Sequence, residues 1–282
     1  MKLLILGAGN AGLEVASRAR ARGWQVVATT TRESRLSELL EFADEARVVL
    51  GADRAAVAEA ASGCDAVLVS VSPPIMQART AEEREASYRQ VLVESCRSAA
   101  AACDQVIFLS SISVYGDGQQ EAGELLTEES PRAVDSTEPS TIYYSQAEDA
   151  TLSIPGGCVL RLPDIYGHPR DIDFTARVAL AHEHMGGSVS FAAEGRLHRI
   201  HVDDVAEAVI FAVSHQLTGV YNCVPDVVAS PTNSEVFDRL ADESGQARLE
   251  FRGELATPIK QVSSARLRAA GFSFAHPDDP IH

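Results

Sequence analysis

The stretch KLLILGAGNAG at residues 2–12 decides the fold of this chain. Its first five residues form a short apolar run typical of a buried strand, and a glycine ends that run. The three glycines have G-x-G-x-x-G spacing and precede a helical pattern, so backbone N–H groups at the helix start can approach a diphosphate. A tight turn without a ligand is the alternative. The predicted dinucleotide contacts are Gly7, Gly9, Asn10, Ala11 and Gly12.

Outward from this motif, short apolar runs alternate with longer stretches rich in Ala, Glu, Leu and Arg. This alternation is typical of parallel strands joined by crossover helices. It predicts the α/β class, with a doubly wound parallel sheet, the Rossmann fold. We predict strands at Lys2–Leu6, Gln25–Thr29, Arg47–Leu50, Ala66–Ser70, Gln105–Ser110 and Cys158–Leu162, and helices near 11–22, 33–43, 53–62, 79–102 and 140–153.

The order of elements becomes irregular after Leu162, which predicts a smaller C-terminal lobe. We assign residues 1–165 and about 202–225 to the dinucleotide-binding domain, and 166–201 and 226–282 to a substrate-binding lobe. The segment 116–139 is rich in Gly, Pro and acidic residues and has no periodicity. It predicts a long loop, and loops of this length are often functional, so we expect a flap near the site.

The composition excludes several kinds of partner. The 282 residues include 24 Lys and Arg against 40 Asp and Glu, giving a net charge of −16. Such a chain is not attracted to phosphate backbones or anionic lipid, so we expect no nucleic acid and no membrane but a small-molecule substrate. No apolar run is long enough to span a membrane. The N-terminal apolar run is short, and the five cysteines form no C-x-x-C pair, so we expect a cytoplasmic protein.

The end of the second predicted strand bears on which nicotinamide dinucleotide would bind. An acidic residue there accepts the ribose 2′-hydroxyl of NAD, but this chain has Thr30, Thr31 and Arg32. Hydroxyl groups and a guanidinium are suited to a 2′-phosphate, so we expect NADP rather than NAD. Arg35 can play the same part, and Arg32 can equally start the next helix in solvent.

Four further segments resemble one family, the short-chain dehydrogenases/reductases of the extended and atypical kinds, which are NAD-dependent epimerase/dehydratase-like. With the glycine motif, the resemblance covers nearly the whole chain. It implies that Ser111 holds the reacting oxygen and that a Tyr-x-x-x-Lys motif handles the proton. The segments are FLSSISVYG at 108–116, LRLPDIYG at 160–167, RIHVDDVA at 199–206 and GVYN at 219–222.

The chain departs from the family in the Tyr-x-x-x-Lys motif. Four residues after Tyr143 comes Ala147, and four residues after Tyr144 comes Glu148. A second alignment, anchored on Glu148, puts Ser140 in the tyrosine position and Tyr144 in the lysine position. Neither alignment restores the lysine, which in the family lowers the pKa of the tyrosine. Tyr143 and Tyr144 are therefore both candidates for the proton donor or acceptor.

The resemblance also suggests contacts for both ligands. Ser72 follows the fourth strand, where the family chain passes the cofactor, although a rigid Ser-Pro-Pro turn is an equal alternative. Pro163 lies where the family backbone meets the nicotinamide carboxamide. On the substrate side, the candidates are Tyr166, Arg170, Arg199 and His201.

Two of these positions have plainer interpretations. His201 is better explained as a cap of the helix that follows it, and Arg170 can equally be a solvated loop charge. The histidines lack the spacing of a metal site, so we expect no metal.

The family implies an NADP-dependent oxidoreductase or epimerase/dehydratase-like enzyme acting on a small carbonyl or hydroxyl compound, such as a sugar nucleotide or a secondary metabolite. Loss of the motif lysine leaves two alternatives. One is a non-catalytic NADP-binding sensor of the same superfamily, and the other is a lyase or isomerase that uses NADP structurally. Relatives often dimerise through helices corresponding to 79–102 and 140–153, so the resemblance also implies a possible homodimer.

Overall fold

The computed structural model describes residues 1–74, 77–118, 125–169, 171–225, 230–255 and 257–277. Its strands are β1 (Lys2–Leu6), β2 (Gln25–Thr30), β3 (Glu45–Val48), β4 (Ala66–Val69), β5 (Gln105–Ser111), β6 (Leu125–Leu126), β7 (Gly156–Leu162), β8 (Asp164–Tyr166), β9 (Ser188–Phe191), β10 (Arg199–His201), β11 (Gly219–Asn222), β12 (Glu250–Leu255) and β13 (Gln261–Val262). Its α-helices are α1 (Asn10–Ala21), α2 (Leu36–Phe42), α3 (Arg54–Ala61), α4 (Ala81–Tyr88), α5 (Glu94–Ala102), α6 (Pro139–Thr151), α7 (Phe174–His184), α8 (Val202–Ser214), α9 (Asn233–Ser244) and α10 (Ala265–Ala269).

Seven strands form the central sheet in the order β3-β2-β1-β4-β5-β7-β11. All of its neighbouring pairs are parallel, and the order reverses between β1 and β4. This is the predicted doubly wound Rossmann arrangement. Ligands of such sheets bind outside the carboxyl ends of the strands, at the point where the order reverses.

Residues of β1 show why both faces of this sheet are buried. Side chains alternate between faces along a strand, so Leu3 and Ile5 enter one hydrophobic core while Leu4 and Leu6 enter the other. Helices α1, α2 and α8 contribute to the first core, and α3, α5 and α6 contribute to the second. The central strands are therefore fixed from both sides, which holds their carboxyl ends in place.

A separate hydrophobic core lies in the C-terminal part of the chain. It joins α7 and α9 to the small parallel sheet of β9 and β12, with Phe174 and Phe237 in edge-to-face contact at 5.4 Å. This is the smaller lobe expected from the sequence. The boundary predicted at residue 165 falls inside β8, which pairs with β10, and the assignment of residue ranges to two domains stays a prediction.

The structure corrects two predicted elements and adds a strand within the predicted loop. Strand β3 lies two residues earlier than predicted because its register with β2 pairs Val27 with Glu45. The long predicted helix at 79–102 is interrupted by a π-helical turn at Arg89–Val93. In the segment 116–139, the described part contains β6, which pairs with β13 far along the chain. None of the segment's described residues is among those that line the cavity described below, and a flap near the site stays a prediction.

Across the described ranges, no helix combines the length and apolar character needed to cross a membrane.

Candidate functional site

The glycine turn after β1 leaves backbone N–H groups free at the start of α1. The first intrahelical bond runs from the Leu13 N–H to the Gly9 carbonyl at 2.8 Å, so the N–H groups of residues 10–12 precede any helical acceptor. Neither a side-chain cap nor an acidic residue occupies the first turn. The positive end of the helix dipole is therefore available to an anion.

The three glycines are required for different reasons. Gly7 has φ +90°, and a Cβ there would lie 2.8 Å from the Ser70 carbonyl oxygen. A Cβ on Gly12 would lie 2.9 Å from the Gly7 carbonyl oxygen, so this position brings helix and strand together. A Cβ on Gly9 would have no atom within 4 Å. Gly7 and Gly12 thus shape the turn, while Gly9 faces open space.

A cavity of about 270 Å³ opens at the carboxyl ends of β1, β4, β5 and β7. It contains seven of the residues predicted for the site, namely Gly9, Asn10, Ala11, Ser72, Ser111, Tyr144 and Pro163. Among the described residues that line it, none has a charged side chain. The structure therefore brings the predicted cofactor turn and two of the predicted catalytic residues to one cavity.

Sequence reasoning missed six other lining residues. Five of them stand at or near the carboxyl ends of β4, β5 and β7, and the sixth, Ile165, lies in β8 just after β7. Ligands of such sheets bind at these strand ends, so this position could have identified them as lining residues. They are Ser70, Val71, Leu109, Ser110, Leu162 and Ile165.

The end of β2 lies beside the glycine turn but outside the cavity lining. Thr30 is buried and its Oγ1 accepts from the Arg32 N–H at 3.2 Å, while Thr31 and Arg32 are exposed. Arg35 behaves differently, since its Nη1 donates to the Ala8 carbonyl at 3.1 Å and its Nε donates to Glu38. A guanidinium therefore lies directly on the glycine turn, and it belongs to Arg35.

The two candidate tyrosines have opposite environments. The Tyr143 hydroxyl accepts from Arg89 Nη2 at 3.0 Å, and its ring stacks on Tyr88 outside the cavity. Tyr144 lines the cavity and stacks on Phe108 at 6.1 Å between ring centroids. Burial raises the pKa of Tyr144 to about 12, so its phenol keeps its proton at neutral pH. Of the two tyrosines, only Tyr144 can act on a ligand in the cavity.

The residues four positions after the two tyrosines, Ala147 and Glu148, are both buried. Glu148 is fully buried behind the cavity, where Ser110 and Arg161 bind its carboxylate, and Ala147 is buried in the hydrophobic core. Neither residue can take the place of a cavity lysine. Tyr144 lies one turn before Glu148 and does line the cavity. The choice between the two alignments stays a prediction, and Tyr144 is the motif residue that lines the cavity in the described part of the chain.

Three of the four substrate candidates contact one another, and none of these three is among the residues that line the cavity. The Arg199 guanidinium lies 4.3 Å from the centre of the Tyr166 ring, and that ring meets His201 edge-on at 5.1 Å. His201 caps α8, because its Nδ1 accepts from the Asp203 N–H at 3.2 Å, as the sequence predicted. Arg170 lies outside the described residues.

One group of possible metal ligands occurs among the described residues, formed by His201, Asp203 and His276 within 4.8 Å of one another. The lone pair of His201 Nδ1 already caps α8, and the two imidazole rings stack at 3.9 Å. This arrangement explains the contacts as packing of the C-terminal segment against α8.

The residues present fit a dinucleotide. Unpaired N–H groups, an open position at Gly9 and the Arg35 guanidinium suit its phosphates. Ser111 and Tyr144, which both carry hydroxyl groups, line the same cavity, and such groups suit a reacting oxygen.

Comparisons with known proteins agree with this fit. Protein YeeZ of Escherichia coli is 27% identical over 98% of this chain and 97% of that protein. Among solved structures, MoeE5 in complex with UDP-glucose and NAD is similar with a TM-score of 0.74 and 20% identity, over 97% of this chain and 93% of that one. The human epimerase family protein SDR39U1 with NADPH is similar with a TM-score of 0.68 and 17% identity, over 99% of this chain and 96% of that one.

At these identities the solved structures support the fold. The sequence profile of one family, described as "NAD dependent epimerase/dehydratase family", matches residues 3–223. That match covers the central sheet from β1 to β11 and includes the glycine turn, Ser111 and Tyr144. This chain therefore belongs to the NAD dependent epimerase/dehydratase family.

Proposed function

We propose that this protein is an NADP-dependent oxidoreductase that reduces the carbonyl group of a small compound. The observation that carries the proposal is the presence of Ser111 and Tyr144 in the same cavity as the glycine turn. MoeE5 was solved with UDP-glucose, which supports a sugar nucleotide as one substrate class. A secondary metabolite with a reactive ketone is the other.

The hydrogen bonds of Ser111 suit it to hold a carbonyl oxygen. Its Oγ accepts from the Ser113 N–H at 3.1 Å, which leaves the hydroxyl hydrogen available to the cavity. A donor at this position stabilises the negative charge that develops on a carbonyl oxygen during reduction. NADPH, when bound, supplies the hydride.

The protonation state of Tyr144 favours reduction over oxidation. Because burial raises the pKa of Tyr144 to about 12, the phenol can give a proton to the developing alkoxide oxygen but rarely exists as the phenolate base that alcohol oxidation needs. Solvent then returns the proton to the phenolate. In the family, a lysine lowers the pKa of the tyrosine that transfers the proton. Here burial has the opposite effect and keeps Tyr144 protonated.

The preference for NADP rests on the two arginines near the turn. We infer that Arg35 holds the 2′-phosphate from its place on the glycine turn, with Arg32 as an exposed second cation. Titration of nicotinamide fluorescence with NADPH and NADH tests this directly. Arg35→Ala should weaken the binding of NADPH at least about tenfold and leave the affinity for NADH within about twofold of the wild type. Equal loss with both cofactors would mean that Arg35 supports the turn without reading the phosphate.

The reaction itself is tested with a panel of carbonyl compounds and the loss of NADPH absorbance. Ser111→Ala should lower turnover by about 10²-fold or more while NADPH affinity stays within about twofold. Ser113→Ala is the matched control, since its buried hydroxyl has no hydrogen-bond partner in the described part of the chain and Ser113 is not one of the cavity-lining residues. No binding of either cofactor would overturn the proposal.

The alternative is a non-catalytic NADP sensor, which the absence of a charged side chain from the cavity lining favours. A sensor would bind NADPH as tightly as an enzyme does but would oxidise none with any carbonyl compound. Its protein partner would also be bound and released equally by the wild type and Ser111→Ala.

A further inference from the structure

Behind the cavity, the buried carboxylate of Glu148 accepts four hydrogen bonds, one of them a long contact from Arg132 Nη1 to Oε2 at 3.5 Å. Glu148 Oε1 accepts from Ser110 Oγ at 2.7 Å and from Arg161 Nε at 2.9 Å, and Oε2 accepts from Arg161 Nη2 at 2.7 Å. The side chains of Glu148, Ser110 and Arg161 are all buried. Ser110 is the member of this group that also lines the cavity.

These bonds fix the direction of the Ser110 hydroxyl. Burial alone would lower the pKa of Arg161, but its hydrogen bonds with Glu148 raise that pKa above its ordinary value, so the guanidinium stays charged. Each Glu148 oxygen faces an N–H of this guanidinium, so both oxygens act as hydrogen-bond acceptors. Ser110 must therefore donate its single hydrogen to Glu148.

A hydroxyl that has given away its hydrogen can only accept on its remaining side. Ser110 thus offers lone pairs to the cavity, whereas its neighbour Ser111 accepts from the Ser113 N–H and offers a hydrogen. Two adjacent serines of β5 have opposite hydrogen-bonding character, and the difference comes from groups outside the cavity.

We propose that Glu148 is a positioning residue that fixes Ser110 as a hydrogen-bond acceptor for an N–H or O–H donor of the bound nicotinamide nucleoside. The inference rests on the proposed function. In this fold the diphosphate lies at the start of α1 and the adenosine lies toward β2, so the other nucleoside extends toward β4, β5 and β7. Ser110 is at the end of β5, on that side. The donors of this nucleoside are its carboxamide N–H groups and its ribose hydroxyls.

The experiment measures the affinity of purified full-length protein for NADPH and for the 3-acetylpyridine analogue of NADP, whose methyl ketone has no N–H donor. The variants are Ser110→Ala, which leaves the Glu148–Arg161 pair intact, and Ser113→Ala as control. Ser110→Ala should weaken NADPH binding about fivefold to tenfold, the usual effect of one lost hydrogen bond. Ser113→Ala should bind NADPH within about twofold of the wild type.

The analogue distinguishes the two sources of the donor. If Ser110→Ala weakens NADPH but not the analogue, the donor is the carboxamide. If it weakens both equally, the donor is a ribose hydroxyl. If both serine variants bind NADPH like the wild type, the inference is overturned while the proposed function stands. A wild type that binds no cofactor overturns both.

A second variant separates positioning from simple contact. Glu148→Gln keeps the shape of the side chain but can donate to Ser110, which frees the serine hydrogen to turn toward the cavity. We expect it to weaken NADPH as Ser110→Ala does, and the double variant to show no further loss. Additive losses would mean that Glu148 does not act through Ser110. Glu148→Gln removes the charge partner of the buried Arg161, so thermal melting checks that this variant still folds. If it does not fold, the binding of NADPH and of the analogue to Ser110→Ala decides whether Ser110 accepts from the nucleoside.

Discussion

At the scale of single residues, Tyr144 and Tyr143 form an internal comparison. They are adjacent on α6, but one lines the cavity and the other is held by Arg89 outside it. Tyr144→Phe should lower reduction by about 10²-fold or more, because general acids contribute that much, and Tyr143→Phe should leave it within about twofold. Steady-state kinetics with NADPH checks both. Equal losses would mean that the proton comes from another group.

The environment of Tyr144 also predicts a pH profile. An ordinary tyrosine loses its proton near pH 10, whereas burial raises the pKa of Tyr144 to about 12. The acid form thus persists through about pH 10.5, so the kcat for reduction should stay flat from about pH 7 to that point and fall only above it. A kcat that falls with a midpoint near pH 10 would contradict a buried acid.

At the scale of an element, the turn between β1 and α1 allows folding and binding to be separated. A Cβ on Gly9 meets nothing within 4 Å, and its φ of −81° suits any residue, while a Cβ on Gly12 would lie 2.9 Å from a carbonyl oxygen. Gly9→Ala should keep the wild-type melting temperature but weaken NADPH at least about tenfold, since the methyl group occupies the open side of the turn. Gly12→Ala should lower the free energy of unfolding by about 1–3 kcal/mol, and the melting temperature with it. Unchanged NADPH affinity in Gly9→Ala would place the dinucleotide elsewhere.

The same scale shows what the sequence can and cannot predict. β1 and α1 were predictable because an apolar run, glycine spacing and a helical pattern are all local signals. The pair of β6 and β13 was not, because two-residue strands have no period and their partners are more than a hundred residues apart. Tyr144 was predicted as a candidate, but the sequence could not show which tyrosine lines the cavity, because the Tyr144 ring packs on Phe108 of β5 and the Tyr143 hydroxyl bonds Arg89.

At the scale of the whole molecule, the stability of the fold should depend on His198. This buried residue joins two parts of the chain, since its Nε2 accepts from the Val262 N–H at 3.2 Å. Burial lowers its pKa from 6.5 to about 4, so below pH 6.5 the unfolded chain binds a proton that the folded chain rejects. Its contribution to stability is therefore complete above pH 6.5 and is lost as the pH falls toward 4, by about 2 kcal/mol at pH 5.

Urea unfolding at pH 7 and pH 5 measures this loss. His198→Gln keeps an acceptor for the Val262 N–H but does not titrate, so the difference between the two pH values should shrink by about 2 kcal/mol. His215→Gln is the control, because His215 is exposed at the end of α8. An unchanged difference in His198→Gln would assign the acid sensitivity to other groups.

The alignment of Ser140, Tyr144 and Glu148 along one face of α6 has a consequence for protein engineering. Glu148 is already committed to Arg161 and Ser110, so the two upstream positions can be exchanged without disturbing that buried anchor. Replacing Ser140 with Tyr and Tyr144 with Lys would install the Tyr-x-x-x-Lys spacing of typical family members on α6, with the lysine at the position that lines the cavity. Such a chain would exchange the single phenol of Tyr144 for a phenol four residues before an ammonium group, the pair that lowers a tyrosine pKa and so suits alcohol oxidation.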